Sequence, residues 1–101
     1  MLHYGLMSRE EFLKKITDII KNELGPSYKV FLFGSWAKGT AVETSDLDIG
    51  ILGSREVPPD KMANIKALIE AVPTLRRVDV VDLIAAGEEF RNSVLAHAKE
   101  L

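Results

Sequence analysis

Apolar residues near the start of the chain recur at the spacing of one face of an α-helix. This stripe consists of Phe12, Leu13, Ile16, Ile19, Ile20 and Leu24. Ahead of it, Ser8 and Glu11 have the spacing of a capping box, in which Ser8 is the N-cap and Glu11 reaches back to it. Gly25-Pro26 follows the stripe and is typical of a helix end. The pattern therefore predicts a first helix between Ser8 and Gly25.

Three shorter runs have the length and the bounds of β-strands. Residues 28–33 are a brief run of β-forming side chains that Gly34-Ser35 ends, and about one helical turn follows before Gly39. Residues 46–52 alternate an acid or glycine with leucine or isoleucine, which is the period of two that a strand shows. Residues 77–81 form the third run. The sequence thus predicts three strands, the first followed at once by a glycine turn.

Two further helical stripes follow the second and third strands. Pro58-Pro59 opens one helix and Pro73 ends it, with an apolar side formed by Met62, Ile65, Leu68, Ile69 and Val72. We expect another long helix from Glu88 to the C-terminus, with Phe90, Val94, Leu95 and Ala98 facing inward. The order helix, strand, strand, helix, strand, helix predicts an α/β (α+β) fold, in which helices cover a small mixed sheet of three or more strands.

Composition indicates one domain and excludes several classes of function. With 101 residues, 47% of them hydrophobic, residues 1–101 are expected to form a single globular domain. A net charge of −2 argues against stable binding of DNA or RNA, which usually requires a basic face. The absence of cysteine excludes disulfides and thiolate zinc sites. Because no secretion signal or long apolar run is present, we expect a soluble cytoplasmic domain without membrane contact; a homo-oligomer stays open.

Gly34-Ser35 is a candidate phosphate site. A glycine between a strand and a helix lets the backbone approach a phosphate closely, and free N–H groups and the Ser35 hydroxyl then favour the anion. Taken alone, the dipeptide is more often an ordinary turn with a helix cap. The carboxylates that follow it in the sequence give it more weight.

Asp46 and Asp48 stand two apart on a predicted strand, so both side chains leave the same face of the sheet. Neighbouring carboxylates repel each other, and a shared divalent cation removes that penalty. Oxygen ligands alone suit Mg²⁺ or Mn²⁺ better than zinc. The alternative is an edge strand whose acids lie in water, but the intervening apolar residues favour a buried strand and hence a site.

The third predicted strand offers two more acids, Asp79 and Asp82. They are three apart, so one strand would direct them to opposite faces. Asp79 lies between Val78 and Val80, where an unpaired charge is expensive, whereas Asp82 ends the strand and is readily explained as a helix N-cap. We therefore choose Asp79 as the third acid of a metal site.

Together these residues resemble a known signature. Gly34-Ser35, ten further residues and Asp46-Leu47-Asp48 resemble the glycine–serine and paired-aspartate motif of the DNA polymerase β-type nucleotidyltransferase superfamily. The surrounding Gly-Ser-Trp-Ala-Lys-Gly and Ser-Asp-Leu-Asp-Ile are similar to its minimal nucleotidyltransferases, and the likeness extends from about Tyr28 to Asp82. Such a spaced motif is a strong signal for the superfamily and a weak one for the substrate.

The resemblance implies a role for each residue. Gly34 and Ser35 would hold the triphosphate of a nucleotide. The catalytic and metal-binding acids would be Asp46, Asp48 and Asp79, the last of which would also position the attacking hydroxyl. Lys38 stands where relatives often have arginine, so its contact with a phosphate would be a point charge rather than a bidentate fork.

The same resemblance implies a reaction and a partner. An acceptor hydroxyl would attack the α-phosphorus of a nucleoside triphosphate, ATP in this reading, and pyrophosphate would leave. Minimal nucleotidyltransferases of this size resemble antitoxins of type VII, which transfer AMP to a tyrosine of a HEPN toxin encoded nearby. Two alternatives stay open: a non-catalytic antitoxin that masks its partner, and transfer to a small molecule. Trp36 could stack on a base, meet the partner or pack in the core.

Overall fold

A computed structural model describes residues 7–41, 46–74 and 77–101 of the chain. Four helices and four strands occur in these residues: α1 (Arg9–Leu24), β1 (Lys29–Phe33), α2 (Ser35–Lys38), β2 (Leu47–Leu52), α3 (Pro59–Glu70), β3 (Val78–Asp82), α4 (Glu88–Leu95) and β4 (Lys99–Glu100). The three predicted strands and the predicted helix starts agree with these bounds to within two residues.

The first helix begins and ends as its sequence predicts. The Ser8 hydroxyl accepts a hydrogen bond from the Glu11 N–H at 3.1 Å, and the Glu11 carboxylate accepts one from the Ser8 N–H at 3.0 Å. This capping box satisfies two of the N–H groups that a helix start leaves unpaired. At the other end, Gly25 has a φ of 78° and donates its N–H to the carbonyl of Lys21.

The strands form one mixed sheet in the order β3-β2-β1-β4. β1 lies antiparallel to both β2 and β4, whereas β2 and β3 are parallel neighbours. Helix α3 connects the two parallel strands, because parallel neighbours need a crossover rather than a hairpin. The predicted mixed sheet with covering helices is confirmed, with four strands.

One face of the sheet holds the hydrophobic core. By register, Val30 lies opposite Ile51 and Leu32 opposite Ile49. These side chains are buried in one cluster together with residues of α1 and α3, namely Phe12, Ile16, Ile20, Ile65 and Ile69. The strand residues that alternate with them therefore point to the other face, which the catalytic candidates occupy; we call it the acid face.

The prediction of a long last helix is wrong. Helix α4 ends at Leu95, and Lys99 and Glu100 form a fourth strand that pairs with Leu32 and Phe31. The Leu101 N–H donates to the carbonyl of Val30 at 2.8 Å. The chain turns back because β1 has backbone groups on its outer side that need partners, a long-range demand that a helical stripe does not reveal.

Trp36 packs in the core. Its side chain is only 4% exposed, and the Arg9 guanidinium lies 4.4 Å from the centre of its ring. Of the possibilities for this residue, the structure supports packing, since a ring this buried has no free face for a base. The contact also ties α2, which begins at Ser35, to the start of α1.

Across the described ranges, each helix falls short of the length or apolar character needed to cross a membrane.

Candidate active site

Two of the predicted acids lie side by side on neighbouring strands. Asp48 of β2 is in register with Asp79 of β3 and, on its other side, with Phe33 of β1. Residues in register share a face of the sheet, so both carboxylates project from the acid face. The arrangement follows from the sequence of β2, where buried Leu47 and Ile49 direct Asp48, which lies between them, to the opposite side.

Gly34 brings the turn after β1 against the carboxylate of Asp48. Its φ of 75° and ψ of −153° are accessible to few residues other than glycine. A Cβ atom at Gly34 would overlap Oδ2 of Asp48 and would lie 3.1 Å from its Cγ. Position 34 therefore requires glycine for two reasons: the backbone conformation, and the close approach of the Asp48 carboxylate. Gly34 and Asp48, fourteen residues apart in the sequence, are direct neighbours.

Ser35 and Lys38 lie on the short helix α2 that follows. Ser35 is half-buried at the first position, where an N–H group has no acceptor within the helix. The helix is closed at its other end by hydrogen bonds from Gly39 and Thr40 to the Ser35 carbonyl. Lys38 is exposed, one turn further, and is not among the residues that line the cavity containing Asp48 and Asp79. Its proposed phosphate contact stays a prediction.

The electrostatics of Asp48 indicate that three carboxylates are near one another. Burial raises the pKa of Asp48 above its ordinary value, and repulsion by Asp79 and then by Asp46 raises it further. Asp46 itself is exposed and precedes the first residue of β2. The three acids are thus close enough to interact electrostatically.

Asp82 has a structural role. It is in register with Ile51 and so belongs to the core side of the sheet, away from Asp79. Its carboxylate accepts three backbone N–H bonds: one from Val57 at 2.7 Å, one from Ile84 at 3.0 Å and one from Ala85 at 3.3 Å. The capping predicted for Asp82 occurs, but it caps a turn over residues 83–86 rather than a helix.

The acids fit a hard cation with oxygen ligands. Asp48 and Asp79 offer adjacent carboxylates, and the pKa of Asp48 is raised first by burial and then by repulsion from Asp79, a cost that a bound cation would relieve. No set of three or more His, Cys, Asp or Glu side chains in the described ranges could hold a metal ion by itself. Mg²⁺ is commonly held by one or two carboxylates, with water and substrate phosphates completing its shell. The role of Asp46 as a third protein ligand stays a prediction.

A cavity of about 830 Å³ extends from the two acids along β3, and we call it the β3 groove. Besides the acids, its lining includes Phe33, Lys66, Thr74 and Arg77, none of which the sequence predicts as a site residue. Arg77 contacts Asp79, with its Nε 3.5 Å from Oδ1. A spacing of two on a strand could have linked Arg77 to Asp79, but Lys66 and Thr74 become neighbours only through the packing of α3.

An aromatic pair borders the acid face beside Asp48. The rings of Phe33 and Phe90 meet edge to face, with centroids 6.3 Å apart and an angle of 84°. Phe90 is 44% exposed although it lies on the inward stripe predicted for the last helix. Helix α4 therefore contacts the acid face at Phe33 while leaving much of the Phe90 ring in solvent.

Comparison with known proteins places these observations in a family. The family model for "Polymerase beta, Nucleotidyltransferase" matches residues 14–101. A probable protein adenylyltransferase MntA of Haemophilus influenzae is 36% identical over 81 residues, which are 78% of this chain and 69% of that protein. The segment matched by the family model includes Gly34, Asp48 and Asp79.

Two solved structures have the same fold. A crystal structure of a toxin–antitoxin complex with AMP-PNP is 27% identical, has a TM-score of 0.68, and is matched over 86% of this chain and 69% of the other. The second structure is a tri-AMPylated HEPN toxin of Shewanella oneidensis in complex with MNT antitoxin. Its matching chain is 22% identical, with a TM-score of 0.67 over 92% of this chain and 71% of the matching chain. With the family model covering nearly the whole sequence, the chain belongs to the polymerase beta nucleotidyltransferase family.

Proposed function

We propose that this chain transfers AMP from ATP to a hydroxyl group of a partner protein, and that the partner is a HEPN toxin encoded nearby. In this proposal residues 1–101 act as one minimal nucleotidyltransferase domain, and the chain serves as an antitoxin because the added nucleotide inactivates the toxin. The acceptor hydroxyl is that of a tyrosine. Membership of the family and the name of the Haemophilus relative, a protein adenylyltransferase, support this assignment.

The observation that carries the proposal is the register of Asp48 with Asp79 beside Gly34. A phosphate held at the Gly34 turn lies directly next to Asp48, and Asp79 lies on the far side of that acid. The order across the sheet is therefore phosphate turn, acid, acid. This order suits a reaction in which the nucleotide enters over β1 and the acceptor enters over β3.

Each residue has a defined task in the transfer. The backbone at Gly34 and the hydroxyl and N–H of Ser35 bind the triphosphate, and Lys38 adds a positive charge one helical turn away. Asp79 accepts a hydrogen bond from the acceptor hydroxyl and then its proton. The hydroxyl oxygen bonds to the α-phosphorus, the bond from that phosphorus to the bridging oxygen breaks, and pyrophosphate leaves.

Asp48, Asp79 and Asp46 are the residues that would hold Mg²⁺ or Mn²⁺. A bound cation would supply neutralisation of the charge that accumulates on the phosphate oxygens. The carboxylates of Asp48 and Asp79 are preorganised for this purpose, because the sheet fixes their backbones in register.

The proposed partner follows from the resemblance of the sequence motif and is supported by the solved complexes. One contains a toxin and an antitoxin with AMP-PNP, and the other a tri-AMPylated HEPN toxin with an MNT antitoxin. In this proposal the partner protein brings its own hydroxyl to the β3 groove beside the two acids.

A mass measurement tests the proposal. The chain is incubated with Mg²⁺, ATP and the HEPN-domain protein encoded beside its gene, and intact-mass spectrometry is applied to that protein. The expected result is an increase by one or more AMP units, located on a tyrosine by peptide mapping. The double variant Asp46→Asn/Asp48→Asn should bind the partner with unchanged affinity and should transfer no AMP, because substitution removes two carboxylates without altering the core face.

The outcomes separate the candidate functions. If the partner gains no mass but is inhibited equally by the wild type and the double variant, the chain acts by masking and the proposal is wrong. If AMP is found on a small molecule of a cell extract and not on the protein, transfer occurs to a different class of acceptor. Loss of both transfer and inhibition in the double variant supports the proposed antitoxin mechanism.

A further inference from the structure

Strand β3 has an outer edge with no partner strand in the parts of the chain that the structure describes. The Leu47 N–H donates to the carbonyl of Arg77, and the Leu83 N–H donates to the carbonyl of Ile51. Arg77 and Leu83, one at each end of β3, therefore direct these backbone groups towards β2. The backbone groups of successive residues in a strand point alternately to its two sides. The N–H and C=O groups of Val78 and Val80 therefore point away from β2, towards the outer edge.

The β3 groove runs along this edge. Its lining includes the four successive residues Val78, Asp79, Val80 and Val81. Successive side chains of a strand project to opposite faces, so a cavity that touches all four must pass along the edge rather than over one face. The outward N–H and C=O groups of Val78 and Val80 consequently face the space of the groove.

The two edges of the sheet differ in how they are protected. At one end, β4 has two residues, Lys99 and Glu100, and both are exposed and charged. Short length and charged side chains are ordinary devices that keep other chains from pairing with an edge. At the other end, Val78–Asp82 is five residues long and contains neither lysine nor proline. Of its two charged residues, Asp79 lies beside Asp48, and the Asp82 carboxylate is occupied by backbone N–H groups. This edge is suited to pairing, and it is the edge beside the catalytic candidates.

A strand added to β3 would place one side chain at the acids. The residue opposite Asp79 would project to the acid face, with its Cβ roughly 5 Å from that of Asp79. From there a tyrosine hydroxyl comes within reach of the Asp79 carboxylate, on the side of Asp79 that faces away from Asp48. The next residue on either side would project to the other face, over Ile69 and Val72, which also line the groove.

We infer that the β3 edge binds an extended segment of the acceptor protein by backbone pairing, with the acceptor hydroxyl carried by the residue opposite Asp79. The inference rests on the proposed function and deepens it, because it states how the acceptor is recognised. Alternating N–H and C=O groups along an edge match the backbone of a polypeptide, whereas a nucleic acid or a small metabolite has no such ladder.

Proline substitutions at the two edges form a matched test. Val80→Pro removes an outward N–H and leaves the inward bonds of β3 to β2 in place. Glu100→Pro removes an outward N–H at the opposite edge. The Leu101 N–H points inward to the carbonyl of Val30, so the N–H of the preceding residue, Glu100, points outward. With the neighbouring HEPN-domain protein as acceptor, Val80→Pro should reduce kcat/KM for transfer by roughly tenfold, mainly through KM. Glu100→Pro should match the wild type, and thermal melts of both variants should report their folding.

Hydrogen exchange of the wild-type protein decides the inference even if Val80→Pro does not fold. The amides of Val78 and Val80 should exchange rapidly in the free protein and at least tenfold more slowly in the complex with the acceptor. Slow exchange of these amides in the free protein, or transfer without any slowing in the complex, would overturn the inference while leaving the proposed function intact. Slowing without transfer would refute the proposed function and the acceptor role of the bound segment, and would leave only the backbone pairing at β3. The absence of both slowing and transfer would refute the function and the pairing together.

Discussion

Gly34 and Gly25 offer a matched pair of alanine substitutions that separates backbone strain from damage to the site. Gly34 has φ 75° and ψ −153°, and Gly25 has φ 78° and ψ −170°. Both conformations belong to a region that is nearly restricted to glycine. An added Cβ at Gly25 meets no described atom within 4 Å, whereas at Gly34 it would overlap Oδ2 of Asp48. The two variants therefore share the strain and differ in one contact.

The expected costs follow from these geometries. Each alanine should lower the free energy of unfolding by about 1 to 3 kcal/mol through backbone strain. For a domain of about 100 residues, each kcal/mol corresponds to a fall in Tm of roughly 4 to 8 °C. Gly34→Ala should cost about 0.5 to 1.5 kcal/mol more, because the Asp48 side chain must leave its rotamer. A displacement of the carboxylate by about 1 Å should also slow AMP transfer roughly 100-fold.

The assay compares the two variants at equal amounts of folded protein. Thermal or urea melts give the folded fraction, and initial rates of AMP transfer to the partner are then measured at a temperature where both variants are fully folded. Gly25→Ala should transfer at the wild-type rate. Equal activity of Gly34→Ala and Gly25→Ala per folded molecule would show that the position of the Asp48 carboxylate does not matter for transfer, and would refute the reasoning about the site.

Four further predictions concern the acids. Asp79→Asn should abolish transfer with little effect on Tm. Asp82→Ala should lower the free energy of unfolding by about 2 to 3 kcal/mol, because three N–H groups lose their acceptor. The folded fraction of the Asp82→Ala variant should transfer AMP at the wild-type rate. Because the pKa of Asp48 is raised in the folded state, this group stabilises the fold below its unfolded pKa and loses that contribution as pH rises through its folded pKa. Asp48→Asn should therefore raise the Tm at pH 7 in EDTA. The same substitution should leave the Tm unchanged in melts near pH 4, where the carboxyl group is protonated. Mg²⁺ with ATP should raise the wild-type Tm in a thermal-shift assay, while the Asp46→Asn/Asp48→Asn variant should show no such rise.

Local signals in the sequence were sufficient for most of the elements. The capping box of Ser8 and Glu11 and the alternation of β2 each depend on residues a few positions apart, and both are present in the structure. The same alternation predicted one face for Asp46 and Asp48, of which Asp48 lies in β2 and Asp46 precedes it. The structure places Asp79, which was chosen from its place in the third strand, in register with Asp48. Their catalytic roles stay predictions.

Features that depend on distant parts of the chain could not be predicted. Nothing within residues 88–101 indicates that the helix stops at Leu95, because the reason is the unpaired side of β1, more than 60 residues earlier. The burial of Trp36 under Arg9 and the pairing of Phe33 with Phe90 depend in the same way on tertiary packing. Periodicity reports which face of an element is apolar, but it does not report which element covers that face.

The features that lower the stability of this fold are concentrated at one end of its sheet. They argue for an enzyme rather than for a protein that only masks its partner. Asp48 is held where burial and two other carboxylates oppose its ionisation, and Gly34 is in a conformation few residues adopt. No strand among the described residues pairs with the adjacent edge of β3. A surface that only covers a partner gains nothing from mutual repulsion of acids, since neutral side chains would give the same contacts at greater stability. Each cost is relieved by a component of the proposed reaction: the repulsion by a cation, the turn by a phosphate and the edge by a polypeptide. Such local departures from stability are expected where a fold is arranged for chemistry.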